Sequence, residues 1–112
     1  MAIVSSHILD SVTGRSAAGI RCQLLRRLPG GEPQTVFDVL ADAEGRIHET
    51  IPAAEAEAGG EFELVLHSAD YFQADSAIVP VVVLRFIVHD SERRYHLPVM
   101  LSPHSYSTWW SG

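Results

Sequence analysis

The sequence predicts an all-β sandwich of about seven or eight short strands with one short helix, in a single domain over residues 1–112. Two observations predict it. Turn-forming clusters recur along the chain, at Asp10-Ser-Val-Thr-Gly14, Pro29-Gly30-Gly31 and Asp42-Ala-Glu-Gly45. Between such clusters apolar residues recur with a period of two. The clearest case is Phe62, Leu64 and Leu66, which interleave with Glu61, Glu63 and Val65. Successive strand side chains point to opposite faces, so a half-buried strand needs one apolar parity.

The elements follow in order. Ala2–Leu9 is a first, moderately apolar strand that ends at the Asp10 turn. Gly19–Leu28 carries Cys22, Leu24 and Leu28 on one parity and closes at Pro29-Gly30-Gly31. Thr35–Leu40 continues the sheet, and the Asp42 turn feeds Arg46–Ile51. Val81–Val88 is apolar on nearly every position, the pattern of a strand covered on both faces. Tyr95–Ser102 alternates again: Tyr95, Leu97, Val99 and Leu101 suit the core, which puts His96, Pro98, Met100 and Ser102 outside. Ser105–Trp110 is a last short strand. Helix signals are weak. Pro52–Ala58 offers about two turns before Gly59-Gly60 stops it, and Ser68–Ala74 offers one turn behind Ser68 as N-cap.

Composition excludes several function classes. Eight basic against fourteen acidic residues leave a net charge of −6, which does not suit phosphate neutralisation, so no nucleic-acid partner is expected. The longest apolar run, Ile78 to Leu84, is far short of the roughly 20 residues of a membrane helix, so no membrane association is expected. The first residues lack the basic start and long apolar stretch of a secretory leader. Cys22 alone allows no internal disulfide, so a reducing cytoplasm is expected. An apolar fraction of 46% is high for one domain of this size.

Familiar catalytic motifs are missing. Pro29-Gly30-Gly31 lacks the Lys-Ser/Thr of a phosphate loop, and neither H-E-x-x-H nor C-x-x-C occurs. The six histidines have no metal-site spacing, and no metal or cofactor is expected. His48, His67, His89 and His104 read as residues of exposed strand faces or loops, and Cys22 as a small core residue. Two histidines stand apart. His96 shares its outer face with the apolar Pro98 and Met100, and His7 lies on the parity of Ile3, Ser5 and Leu9. Either is compatible with an inert surface or interface position.

The segment YHLPVMLSPHSYST, Tyr95–Thr108, closely resembles the C-terminal signature of the transthyretin and 5-hydroxyisourate hydrolase family. SSHILDSVTGRSAAGI resembles the hydrolases' first signature, Asp42-Ala-Glu-Gly45-Arg46 is similar to the family's D-x-x-G-R, and Asp70-Tyr71-Phe72 stands where the family has a short helix. The likeness covers the chain from end to end. It implies a transthyretin-like two-sheet sandwich, and His7, Arg46 and His96 match the residues that distinguish the hydrolases from the hormone carriers. It therefore implies a cyclic amide hydrolase of purine and urate catabolism, acting on a purine-derived small molecule, 5-hydroxyisourate. It implies a homotetramer, a dimer of dimers, with the active sites in channels where dimers meet. Ser105, Tyr106, Trp109 and Trp110 are implied as substrate contacts there. Hydrolysis needs a base for water, a donor or cation for the oxyanion and an acid for the leaving nitrogen. Two histidines and an arginine can supply these, His7 and His96 jointly moving protons and Arg46 holding an oxygen through its planar fork.

The sequence departs from the family at two places. Trp109-Trp110-Ser111-Gly112 replaces the usual Tyr-Arg-Gly-Ser, and Ser16 stands where the first signature has proline. Trp in place of Arg removes a charge and five donors and adds a large apolar plate. That favours a ring whose nitrogens carry methyl groups, such as trimethyl-5-hydroxyisourate from caffeine-type purine breakdown. The alternative of another class is a non-catalytic carrier, with the tryptophans closing a channel over a small aromatic ligand.

Overall fold

The computed structural model describes residues 1–111, so Gly112, aligned with the family's terminal serine, lies outside the described residues. Ten strands and one helix follow in the order β1 (Ala2–Asp10), β2 (Arg15–Ser16), β3 (Arg21–Arg26), β4 (Gln34–Leu40), β5 (Arg46–Ile51), β6 (Gly60–Leu66), α1 (Ser68–Phe72), β7 (Val82–Val88), β8 (Arg94–His96), β9 (Val99–Leu101) and β10 (Tyr106–Thr108). The excess over eight has two causes. Arg15–Ser16 forms a two-residue arm on β1, and the expected strand over 95–102 divides at Leu97-Pro98. Pro98 has no N–H to give to a ladder, which interrupts the pairing there.

Two sheets pack face to face. In the first, β1 is the axis: β5 runs antiparallel along its first half, β8 and β9 run parallel on its other side, and β10 pairs with β9. The second has the order β4-β3-β6-β7, all antiparallel. Both contribute alternate residues to one core, in which Val4, Ile8, Leu24, Phe62, Val82 and Leu101 are fully buried. Each such side chain contributes about 1.5–3 kcal/mol by leaving water. Cys22 is buried among them, and burial pushes its thiol up to about 12, which makes it unreactive at neutral pH. Among the described residues no helix is long and apolar enough to cross a membrane.

Four expectations need correction. Pro52–Ala58 forms turns and no helix: Glu55 donates to the Pro52 carbonyl at 2.8 Å, and the segment is too short to offset the cost of helix nucleation. Ser68 is not the cap of α1. His67 holds that position, and the buried Ser68 hydroxyl instead donates to the Val79 carbonyl at 2.8 Å, tying the helix to the loop before β7. Strand β7 is covered on one face only. Val82, Leu84 and Val88 enter the core, while Val83 and Ile87 are 44% and 41% exposed at the edge of the second sheet. Finally, Pro98 is buried although its parity is the outer one: it sits in the break between β8 and β9, where the Thr108 hydroxyl donates to its carbonyl at 2.8 Å.

Candidate active site

The site is built on the outer face of β1. In the antiparallel register with β5, His7 lies opposite Arg46 and Ser5 opposite His48. In the parallel register with β8, the same Ser5 lies opposite His96. The odd positions of β1 therefore collect His7, Arg46 and His96, which the chain separates widely, on one face of three adjacent strands. Odd positions of β1 face away from the core, since Val4 and Ile8 of the even set are core residues while Ile3, His7 and Leu9 are half-buried; Ser5 is the one odd position that its neighbours on this face cover.

The turn before β5 sets the height of Arg46. Asp42 accepts the N–H groups of Glu44 at 2.9 Å and Arg46 at 3.0 Å on Oδ1, which holds its carboxyl below the usual range. Gly45 adopts φ +70°, and its carbonyl takes the N–H of Ile8 at 2.8 Å. The D-x-x-G-R pattern is thus a turn that locks β5 against β1 and ends with Arg46 beside His7. Among the described residues the Arg46 guanidinium has one loose ion pair, 3.8 Å to the exposed Glu44, which leaves its fork open to a ligand oxygen.

His96 is half-buried and strongly held. Its backbone pairs with Ser111 in both directions, at 3.0 and 2.9 Å, and its Nδ1 lies 2.8 Å from the Ser5 hydroxyl. Burial lowers its pKa first, and the charges of Arg94, Arg46 and His7 push in the same direction. Arg94 also donates Nε–H to the Ser5 oxygen at 3.1 Å. His7 has a longer contact, 3.5 Å from Nε2 to the Ser16 hydroxyl, the position where the resemblance expects proline. A cavity of about 190 Å³ lies between Ser5, Asp42, Arg46, His48, Arg94 and His96. His7 is not among the residues that line it; it lies across from Arg46 in the β1–β5 register.

The other expected contacts lie elsewhere in a single chain. Tyr106, Trp109 and Trp110 border a larger groove, about 590 Å³, between the exposed edges β7 and β10, with Arg93 stacked over Trp110 at 5.0 Å. Ser105 belongs to the turn before β10, where its N–H and hydroxyl meet the Ser102 hydroxyl. One register runs from Val99 opposite Thr108 to His96 opposite Ser111, which sets Trp109 across from Pro98 and Trp110 across from Leu97. Trp109 thus shares the outer parity of His96, and Trp110 the inner one. Ser5, Arg94 and His48 were not singled out as site residues by sequence reasoning. The signal was present for two of them: Ser5 precedes His7, and Arg94 precedes His96, by two residues, hence on the same strand face.

Comparison with known proteins establishes the family and the fold. The family model described as HIUase/Transthyretin family matches residues 4–111. The chain is 35% identical over 112 residues to 5-hydroxyisourate hydrolase 2 of Rhizobium meliloti (strain 1021), covering 95% of this chain and 92% of that one. The solved Klebsiella pneumoniae 5-hydroxyisourate hydrolase superposes with a TM-score of 0.79 at 28% identity, over the whole of both chains. Sea bream transthyretin, solved with thyroxine, superposes at 0.82 over 96% of this chain and 93% of that one; at 23% identity it shows the shared fold alone. The chain belongs to the HIUase/Transthyretin family.

Proposed function

We propose that this protein is a hydrolase that opens the six-membered ring of 5-hydroxyisourate at its cyclic amide, as a step of urate breakdown in the cytoplasm. The observation that carries the reading is the meeting of His7, Arg46 and His96 on one sheet face, in a chain whose relatives include named 5-hydroxyisourate hydrolases. Arg46 holds the oxygen that gains charge as water attacks the ring carbonyl, and His7 and His96 together supply the base and the proton donor. A permanently charged guanidinium suits an anionic, oxygen-rich ring.

The working form is proposed to be a homotetramer. A cavity of about 190 Å³ is small beside the roughly 300 Å³ and upward of ordinary small-molecule sites, which supports walls supplied by another copy. The exposed apolar residues of β7 and the groove at Trp109 and Trp110 supply surface for assembly, in keeping with the high apolar fraction. In such an assembly Ser105, Tyr106, Trp109 and Trp110 are proposed to reach the substrate channel.

Turnover of freshly generated 5-hydroxyisourate tests the reading. Wild-type protein should hydrolyse it, and His96→Ala should lose turnover while keeping its circular dichroism spectrum. A wild-type protein that binds the ring without hydrolysing it would favour the carrier alternative. A second reading of the substrate, an N-methylated ring, rests on Trp109 and Trp110 in place of Tyr and Arg. The ratio of kcat/KM on 5-hydroxyisourate and its trimethyl analogue decides between the two, and a preference for the unmethylated ring removes the second.

A further inference from the structure

The hydrogen bonds around Ser5 separate the roles of the two histidines, a step that rests on the hydrolase reading above. Ser5 is only 2% exposed, and its hydroxyl has two neighbours: Nε of Arg94 at 3.1 Å and Nδ1 of His96 at 2.8 Å. Arg94 can only donate, so it occupies one lone pair of the Ser5 oxygen. Among the described residues the hydroxyl hydrogen then has one hydrogen-bond acceptor, the Nδ1 of His96. If Nδ1 carried a proton instead, Ser5 would accept twice and its own hydrogen would be buried without a partner. A donor left without a partner in so enclosed a position is disfavoured.

We infer that Ser5, itself held by Arg94, fixes His96 as a neutral imidazole with its proton on Nε2, so that His96 serves as a hydrogen-bond donor while His7 takes the proton from water. The groups around His96 agree. Arg94 on its own strand, Arg46 and His48 on β5 and His7 on β1 are all basic, and the Asp42 carboxylate is already engaged by two backbone N–H groups of its turn. Among the described residues, the segment after β10 pairs with His96 through the Ser111 backbone. In the reaction, water passes a proton to His7 and its oxygen bonds to the ring carbonyl carbon. The oxyanion is held by Arg46 and by Nε2–H of His96. The carbon–nitrogen bond then breaks, and His7 returns the proton to the departing nitrogen. No proton leaves His96, which narrows the acid–base role proposed above for the two histidines jointly to His7 alone. Ser5 and Arg94 are positioning residues that act through it.

Nitrogen-15 NMR of the histidine rings tests this without reference to activity. At pH 7, His96 of the wild-type protein should show a bare Nδ1 and a protonated Nε2. Ser5→Ala should mix the tautomers and lower kcat about tenfold with little change in KM, and Ser5→Thr should restore both. Should Ser5→Ala not fold, Arg94→Met frees the same hydroxyl and should mix the tautomers likewise. His96→Gln, which keeps an N–H donor, should retain turnover that His7→Gln loses. A protonated Nδ1 in the wild-type ring, or an active His7→Gln beside a dead His96→Gln, would overturn the assignment. The stated tautomer in a wild-type protein that does not hydrolyse 5-hydroxyisourate would leave the positioning intact and remove the hydrolase reading.

Discussion

A β-carbon added to Gly45 would stand 2.5 Å from the carbonyl oxygen of Ile8, so the turn before β5 and the axis strand β1 touch backbone to backbone. Gly45 also sits at φ +70°, a conformation that side chains disfavour. Gly45→Ala should therefore destabilise the fold by roughly 2–4 kcal/mol, from strain and overpacking together. Urea unfolding measures it. Because the same contact places Arg46 beside His7, the variant should also lose activity at temperatures where it remains folded.

Arg46 offers a planar fork that lysine cannot reproduce. Arg46→Lys keeps the charge and should still lower kcat/KM on 5-hydroxyisourate by about a hundredfold, with Arg46→Ala lower again. Steady-state kinetics on the two variants gives the comparison. Equal activity of Arg46→Lys and wild type would mean that the residue supplies charge alone.

The lowered pKa of His96 carries a pH signature. Burial, then Arg94, Arg46 and His7, keep the folded-state value below the ordinary 6.5. Below that pH the unfolded chain binds the proton more readily than the fold, so stability falls as pH falls from about 6.5 toward the folded value. His96→Gln removes the titration. Unfolding midpoints at pH 7.5 and 5.5 should show a smaller acid loss in His96→Gln than in the wild type.

Asp10 closes the far end of β1. Burial opposes its charge, but the N–H groups of Thr13 and Val12 and the Tyr71 hydroxyl, at 3.0 Å, outweigh that and lower its pKa. Its contribution is present above the ordinary carboxylate range and is lost as pH falls through the folded value. Tyr71→Phe should cost about 1 kcal/mol at neutral pH, and Asp10→Ala, which strands three donors, about 2–3 kcal/mol. Thermal unfolding of the two variants should rank them in that order.

The two tryptophans should separate by function. Trp109 shares the parity of Pro98 and His96, whereas Trp110 shares that of Leu97 and lies under Arg93. Trp109→Tyr should shift the ratio of kcat/KM between methylated and unmethylated rings by roughly tenfold, while Trp110→Ala should chiefly lower stability or assembly. Parallel kinetics and sedimentation would show it. A change of substrate preference at Trp110 with none at Trp109 would reverse the assignment.

Much of this was legible in residue order. Alternation in Phe62–Leu66 and Tyr95–Leu101 set the buried parities, and the turn clusters set where strands end, because both are local properties of the chain. Strand parity set His7 and His96 apart, but only resemblance joined them to each other and to Arg46, since no spacing along the chain links residues so far apart. Three things were decided by tertiary structure. Segment 52–58 has helix formers but no packing to sustain a helix. The strand after β7 breaks because Pro98 cannot donate where it meets β1. Ser5 became a partner of His96 through the parallel pairing of β1 with β8, and Arg94 joined them through the same pairing. Strand register is a relationship between distant segments, chosen by how whole faces pack. A sequence can therefore name the residues of a face, but only the folded sheet decides which of them touch.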